Sequence, residues 1–115
     1  MSERDPRLRV ADMLDAARDA IGFIRGCSRE DLDTNRMVLY ALARAIEILG
    51  EAARNVEPGV RARHPEVPWR DISGMRNRIV HAYFDLDPDI VWSIVTKDLP
   101  VLVRQLEAIL GELPA

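Results

Sequence analysis

The sequence predicts an all-α fold, a single-domain up-and-down bundle of four main helices with short helical turns between them. Three observations predict it. Apolar residues recur at three- and four-residue spacing through most of the chain, two Asp–Pro pairs mark helix starts, and no stretch alternates with the two-residue period of a strand. A length of 115 residues supports one core. Hydrophobic residues make up 48% of it, with no apolar run approaching the ~18 residues of a membrane span, so a soluble globule is expected. The opening MSERDPRLRV lacks the apolar stretch of a secretory signal, and a cytoplasmic protein follows as the expectation. Cys27 is alone and cannot form an internal disulfide.

Asp5 and Pro6 form an N-cap and first-turn pair, after which Val10, Leu14, Ala17, Ile21 and Ile24 keep helical spacing to an end near Gly26. A second row on this helix, Met13, Ala16, Ala20 and Phe23, exceeds what one neighbour would cover. Ser28 and Asp31 resemble a capping box made with the shorter acid, leading into a second long helix from about Thr34. Its buried stripe is Val38, Leu42, Ala45, Leu49 and Ala53, and it closes around Asn55. Pro58, Gly59, Pro65 and Pro68 make a rigid elbow with one helical turn near Val60 to Arg63. A third long helix is predicted from Trp69 to about Phe84, with Gly74 inside it marking close helix packing. Asp87 and Pro88 start the last helix, whose row is Val91, Ile94, Val95, Leu99, Leu102, Leu106 and Ile109. Pro100 should kink it, because proline removes a backbone hydrogen bond and crowds the preceding turn.

The third helix holds the densest set of chemical groups, in the stretch MRNRIVHAYF from Met75 to Phe84. On an ideal helix Ile72, Met75, Ile79 and Ala82 fall within an arc of roughly 80° and face the core. Asn77 and His81 share the opposite side, Arg76 and Tyr83 share an edge, and Val80 and Phe84 flank the polar pair. Apolar groups beside a His and an Asn point to a second contact surface, a subunit interface or a cleft.

The ordered pattern Arg76-Asn77-x-x-x-His81-x-Tyr83 resembles the signature of HEPN-domain ribonucleases, an Arg, a polar residue, then a His. The Tyr narrows the likeness to HepT, the minimal HEPN toxins paired with a minimal nucleotidyltransferase antitoxin, MntA. Ile48-Leu49-Gly50-Glu51-Ala52, Pro65-Glu66-Val67-Pro68-Trp69 and Asp89-Ile90-Val91-Trp92 extend the resemblance along nearly the whole chain. It implies a metal-independent endoribonuclease that leaves a 2′,3′-cyclic phosphate, working as a homodimer whose motif helices face each other across one cleft. It also implies a cognate nucleotidyltransferase antitoxin that acts by binding, by attaching AMP to Tyr83, or by both. From the residues alone Tyr83 reads equally as a half-buried helix residue or a direct RNA contact.

The residues fit that chemistry. Cleavage of RNA by its own 2′-hydroxyl needs a group that moves a proton, for which His81 is suited, and a cation that steadies the crowded phosphate, for which Arg76 is suited. Asn77 would orient one or the other. The scheme requires no cofactor and no metal, and His64 and His81 lie far apart with no ligand spacing around them. Net charge is −3, yet the segment from Arg54 to Arg78 carries six Arg against three acids. Arg70 and Arg78 belong to this basic rim, which offers planar forks for phosphate oxygens. Fifteen Arg against one Lys is equally consistent with genomic base composition. Glu47 and Glu51, one turn apart, read as a solvated acidic face or as support beside the site. Arg76 and His81 stand about 140° apart on an ideal helix, which with Val80, Phe84 and the second row of helix one favours a homodimer. RNA is the expected substrate, and neither a membrane nor DNA is expected as a partner. The competing reading is a catalytically silent HEPN dimer that serves as a binding module for a nucleotidyltransferase or a nucleotide.

Overall fold

A computed structural model describes residues 5–80, 82 and 85–114. The helices are α1 (Pro6–Phe23), α2 (Asp31–Thr34), α3 (Arg36–Arg54), α4 (Pro58–Arg63), α5 (Trp69–Ser73), α6 (Met75–Ile79), α7 (Pro88–Ser93) and α8 (Leu99–Glu112). A π-helical turn, Ile94–Asp98, joins α7 to α8. The all-α bundle expected from the sequence is present, its four main members being α1, α3, the α5–α6 pair and the α7–α8 run. No helix among the described residues is long and apolar enough to cross a membrane.

Local chemistry starts the helices where the sequence placed them. Asp5 accepts from the Arg7 N–H at 2.8 Å, and Asp87 accepts from the Asp89 and Ile90 N–H groups, each with proline in the first turn behind it. Asn35, not Thr34, caps α3 by accepting from the Val38 N–H. Asp31 reaches back to the Ser28 N–H at 2.7 Å, the acid half of a capping box. Helix α1 ends at Phe23, and Gly26, at φ +76, turns the chain beyond it. At the other end of the molecule the Arg7 guanidinium donates to the Leu110 and Leu113 carbonyls, satisfying acceptors that α8 leaves open.

Helix α3 is the central member, packing against α1 and also touching α5, α6 and α7. Leu42, Ile46 and Leu49 are fully enclosed, together with Val10, Met13 and Ala17 of α1 and Leu99, Leu106 and Ile109 of α8. The second row of α1 is covered within the chain, since Met13, Ala16 and Ala20 are buried. Of that row Phe23 alone is exposed, so the row gives little support to a second copy. The elbow is fastened by His64, the one buried polar residue among those described. Its ring nitrogens lie 3.3 Å from Glu66 and 3.4 Å from Glu112, and its carbonyl accepts from the Trp69 indole at 3.0 Å. The irregularity expected at Pro100 takes the form of the π turn just before it, where the Leu99 N–H reaches back five residues to Ile94.

The third helix departs from expectation. It breaks at Gly74, whose N–H closes onto carbonyls of α5, and it stops at Ile79. Val80 is extended and forms an isolated antiparallel bridge with Leu86, while the Asp87 N–H donates to the Ile79 carbonyl at 2.8 Å. These bonds occupy backbone groups that a continuing helix would have used. Ala82, placed on the core stripe by the sequence, is exposed. The helix therefore ends before His81, and ideal-helix angles between Arg76, Asn77 and His81 do not describe the site. His81, Tyr83 and Phe84 lie outside the described residues. Arg29 ties α2 to the start of α7: it pairs with Asp89 at 2.6 Å and Asp33 at 3.1 Å, and its hydrogen bond to Asp89, then that to Asp33, holds its pKa above the ordinary value.

Close packing is found at Gly50 instead of Gly74. A Cβ on Gly50 would lie 3.1 Å from the Ile72 carbonyl oxygen, whereas one on Gly74 would make only ordinary contacts, the nearest at 3.5 Å. Gly50→Val should cost about 1–3 kcal/mol and lower Tm by roughly 4–20 °C in thermal unfolding followed by circular dichroism. The same change at Gly22, where a Cβ meets nothing within 4 Å, should leave Tm nearly unchanged. Asp87→Ala should cost about 1 kcal/mol, a fall of roughly 3–7 °C, and Asp87→Asn, which keeps a capping oxygen, should recover most of it.

Candidate active site

Helix α6 is short, but it is pinned at both ends. Ile72, Met75 and Ile79 are buried, and between them Arg76, Asn77 and Arg78 are held out to solvent. The close approach at Gly50 sets how near this segment lies to α3. Three residues earlier on α3, Glu47 meets Arg76, with its Oε2 3.4 Å from the Arg76 Nε. The other oxygen of the same carboxylate accepts from the Arg44 Nη1 at 2.8 Å.

Glu47 is thus shared by two guanidiniums. Both members of the Arg76–Glu47 pair are nearly half exposed, so its worth to stability is small, about 0–1 kcal/mol. Its consequence is geometric, because it holds the head of Arg76 over one opening. That opening is a cleft of ≈ 240 Å³ whose lining includes Tyr40, Arg44, Glu47, Arg76, Val80 and Leu86. Two guanidiniums and one carboxylate line it, leaving an excess of positive charge. Such a cleft can take an anion with planar, bidentate hydrogen bonds. His81 follows Val80 directly in the chain and lies outside the described residues.

The remaining residues singled out from the sequence are distributed as follows. Glu51 pairs with Arg54 at 3.7 Å and faces a wider groove between α1 and α3, which Glu47 also borders. Arg78 lines a separate cleft with Asp71, Met75 and Lys97, apart from Arg76. Arg70 is exposed on α5, and Asn77 is exposed on α6 beside Arg76. Sequence reasoning passed over Tyr40 and Arg44, although the spacing Arg36-x-x-x-Tyr40-x-x-x-Arg44 places them on one face of α3 and could have marked them.

Comparison with known proteins agrees with the family resemblance. The family described as Ribonuclease HepT-like matches residues 13–109. A protein of Methanocaldococcus jannaschii named Putative RNase MJ1380 is 37% identical over 109 residues, covering 95% of this chain and 100% of that one. The Probable ribonuclease HepT of Thermococcus cleftensis is 36% identical over 100 residues, 84% of this chain and 91% of its own. Putative RNase TTE0752 of Caldanaerobacter subterraneus subsp. tengcongensis is 34% identical over 107 residues, 93% and 96% of the two chains. No solved structure matches. With the family matched across residues 13–109 and relatives 34–37% identical over most of both chains, the chain belongs to the ribonuclease HepT-like family.

Proposed function

We propose that this chain is a metal-independent endoribonuclease acting in the cytoplasm as the toxin of a toxin–antitoxin pair. In the reaction the 2′-hydroxyl of a ribose gives its proton to His81 while its oxygen attacks the adjacent phosphorus. The bond to the 5′-oxygen of the next nucleotide breaks, and that oxygen takes up a proton. The products are a 2′,3′-cyclic phosphate and a 5′-hydroxyl. Arg76 stabilises the charge that builds on the phosphoryl oxygens, and Asn77 orients His81 or the phosphate. Side chains supply both the proton acceptor and the cation, so the step needs no metal. Glu47 positions Arg76, while Glu51 stays with the groove beside it. Arg70 and Arg78 extend the basic rim to phosphates farther along the strand.

The observation that carries this reading is Arg76 of the Arg76-Asn77-x-x-x-His81-x-Tyr83 motif, held by Glu47 at a cationic cleft in a HepT-like chain. Two copies of the chain would bring two Arg76/His81 sets to one cleft, and we assign a homodimer as the active form. Tyr83 is assigned as the site at which a cognate nucleotidyltransferase attaches AMP. The added bulk and negative charge beside an anion-binding cleft would repel the substrate phosphate and switch the enzyme off.

The test is cleavage of a labelled RNA in EDTA, with the 3′ ends identified. Wild type should cut and leave cyclic phosphate ends. Arg76→Ala should lose about 10²–10³-fold and His81→Ala about 10²–10⁴-fold. Glu47→Ala should lose less than Arg76→Ala, with Tm nearly unchanged. If folded, unmodified protein does not cut, or cuts equally well without Arg76 and His81, the enzyme reading falls and the silent binding module replaces it.

A further inference from the structure

Helix α3 carries a row of side chains that the reaction scheme leaves unused. Arg36, Tyr40 and Arg44 recur at every fourth residue and share one face, which runs on into Glu47. Tyr40 is 51% exposed, an aromatic kept in solvent at the margin of a bundle whose core is otherwise aliphatic. Arg36 reaches its hydroxyl, and the guanidinium carbon lies 5.2 Å from the ring centroid. The ring is therefore held at one end and flanked by a cation. On its other side along the helix, Arg44 is 68% exposed at the side chain. Tyr40 and Arg44 line the same cleft as Arg76. An aromatic face between two cations, opening onto a third, is the arrangement by which proteins track a single strand: bases stack on the ring and phosphates meet the guanidiniums. Glu47 pairs with both Arg44 and Arg76, and its single negative charge leaves the three guanidiniums with a positive excess. A paired base has no free face for such a ring, so the fit is to unpaired RNA.

We propose that Arg36, Tyr40 and Arg44 form a nucleotide-binding subsite beside the cleavage cleft. There one base of single-stranded RNA, next outward from the pair of nucleotides at the scissile bond, stacks on Tyr40, and its flanking phosphates engage Arg36 and Arg44. The proposal rests on the ribonuclease reading above.

The test compares two substrates, a single-stranded oligoribonucleotide of about ten residues and a dinucleotide that spans only the scissile bond, and adds binding of an uncleavable 2′-O-methyl oligonucleotide by fluorescence anisotropy. For Tyr40→Ala the loss of kcat/KM on the oligonucleotide should exceed that on the dinucleotide by roughly 5- to 150-fold, the range for stacking one base, with most of it in KM. Tyr40→Phe should keep most of the oligonucleotide activity. Arg36→Gln and Arg44→Gln should each flatten the salt dependence of oligonucleotide binding. Equal losses on both substrates, or no loss on either, would overturn the subsite. If wild type cleaves neither substrate, the ribonuclease reading fails, and anisotropy decides the subsite separately: binding weakened by Tyr40→Ala upholds it, and no binding, or binding indifferent to Tyr40, removes it.

Discussion

The close seating of the α5–α6 segment on α3 is the constraint on which the site depends. Gly50 lets the Ile72 carbonyl come to within 3.1 Å of where a Cβ would stand, and one turn earlier on α3 Glu47 takes hold of Arg76. Buried apolar groups supply the free energy of that contact, from Ile72, Met75 and Ile79 on one side and Ile46 and Leu49 on the other. The half-exposed ion pair adds little stability and biases where a cation points. Packing and positioning are thus divided between neighbouring faces of the same helix.

Regular structure stops partway through the motif, at Ile79. A helix continued through residue 84 would fix every motif side chain at its own angle around one axis. Helix α6 ends at Ile79, Val80 is bridged to Leu86, and Asp87 caps α7. The Asp87 N–H occupies the Ile79 carbonyl that a continuing helix would have used. Arg29, drawn to Asp33 and Asp89, ties the start of α7 to the α2 turn.

Much of this was legible in the residues. Asp5 with Pro6 and Asp87 with Pro88 mark helix starts because an acid that caps and a ring that pre-sets φ act locally. The apolar row from Val91 to Ile109 is buried as its spacing requires. The break at Gly74 and the stop at Ile79 were not legible. Ile72, Met75 and Ile79 keep the same spacing in one helix or in two, and a lone glycine weakens a helix by only about 1 kcal/mol. The bond that ends α6 comes from Asp87, beyond the reach of any local rule. The second row of α1 likewise looked unpartnered until α3 and α8 covered it. At the site, the motif was readable, but the side chain that holds Arg76 lies twenty-nine positions away in sequence. Glu47 was visible as half of an acidic pair, whereas its contact is a property of the tertiary fold.

The most direct test of the account is where RNA touches this molecule. Nuclear magnetic resonance spectra of the labelled protein, titrated with a 2′-O-methyl oligonucleotide that binds without being cut, report each arginine and tyrosine separately. The largest shifts should fall on Arg76 and spread along α3 through Arg44 and Tyr40. Shifts that leave out Arg76 and Tyr40 and fall on the groove between α1 and α3, or on the cleft around Arg78 and Lys97, would contradict this placement.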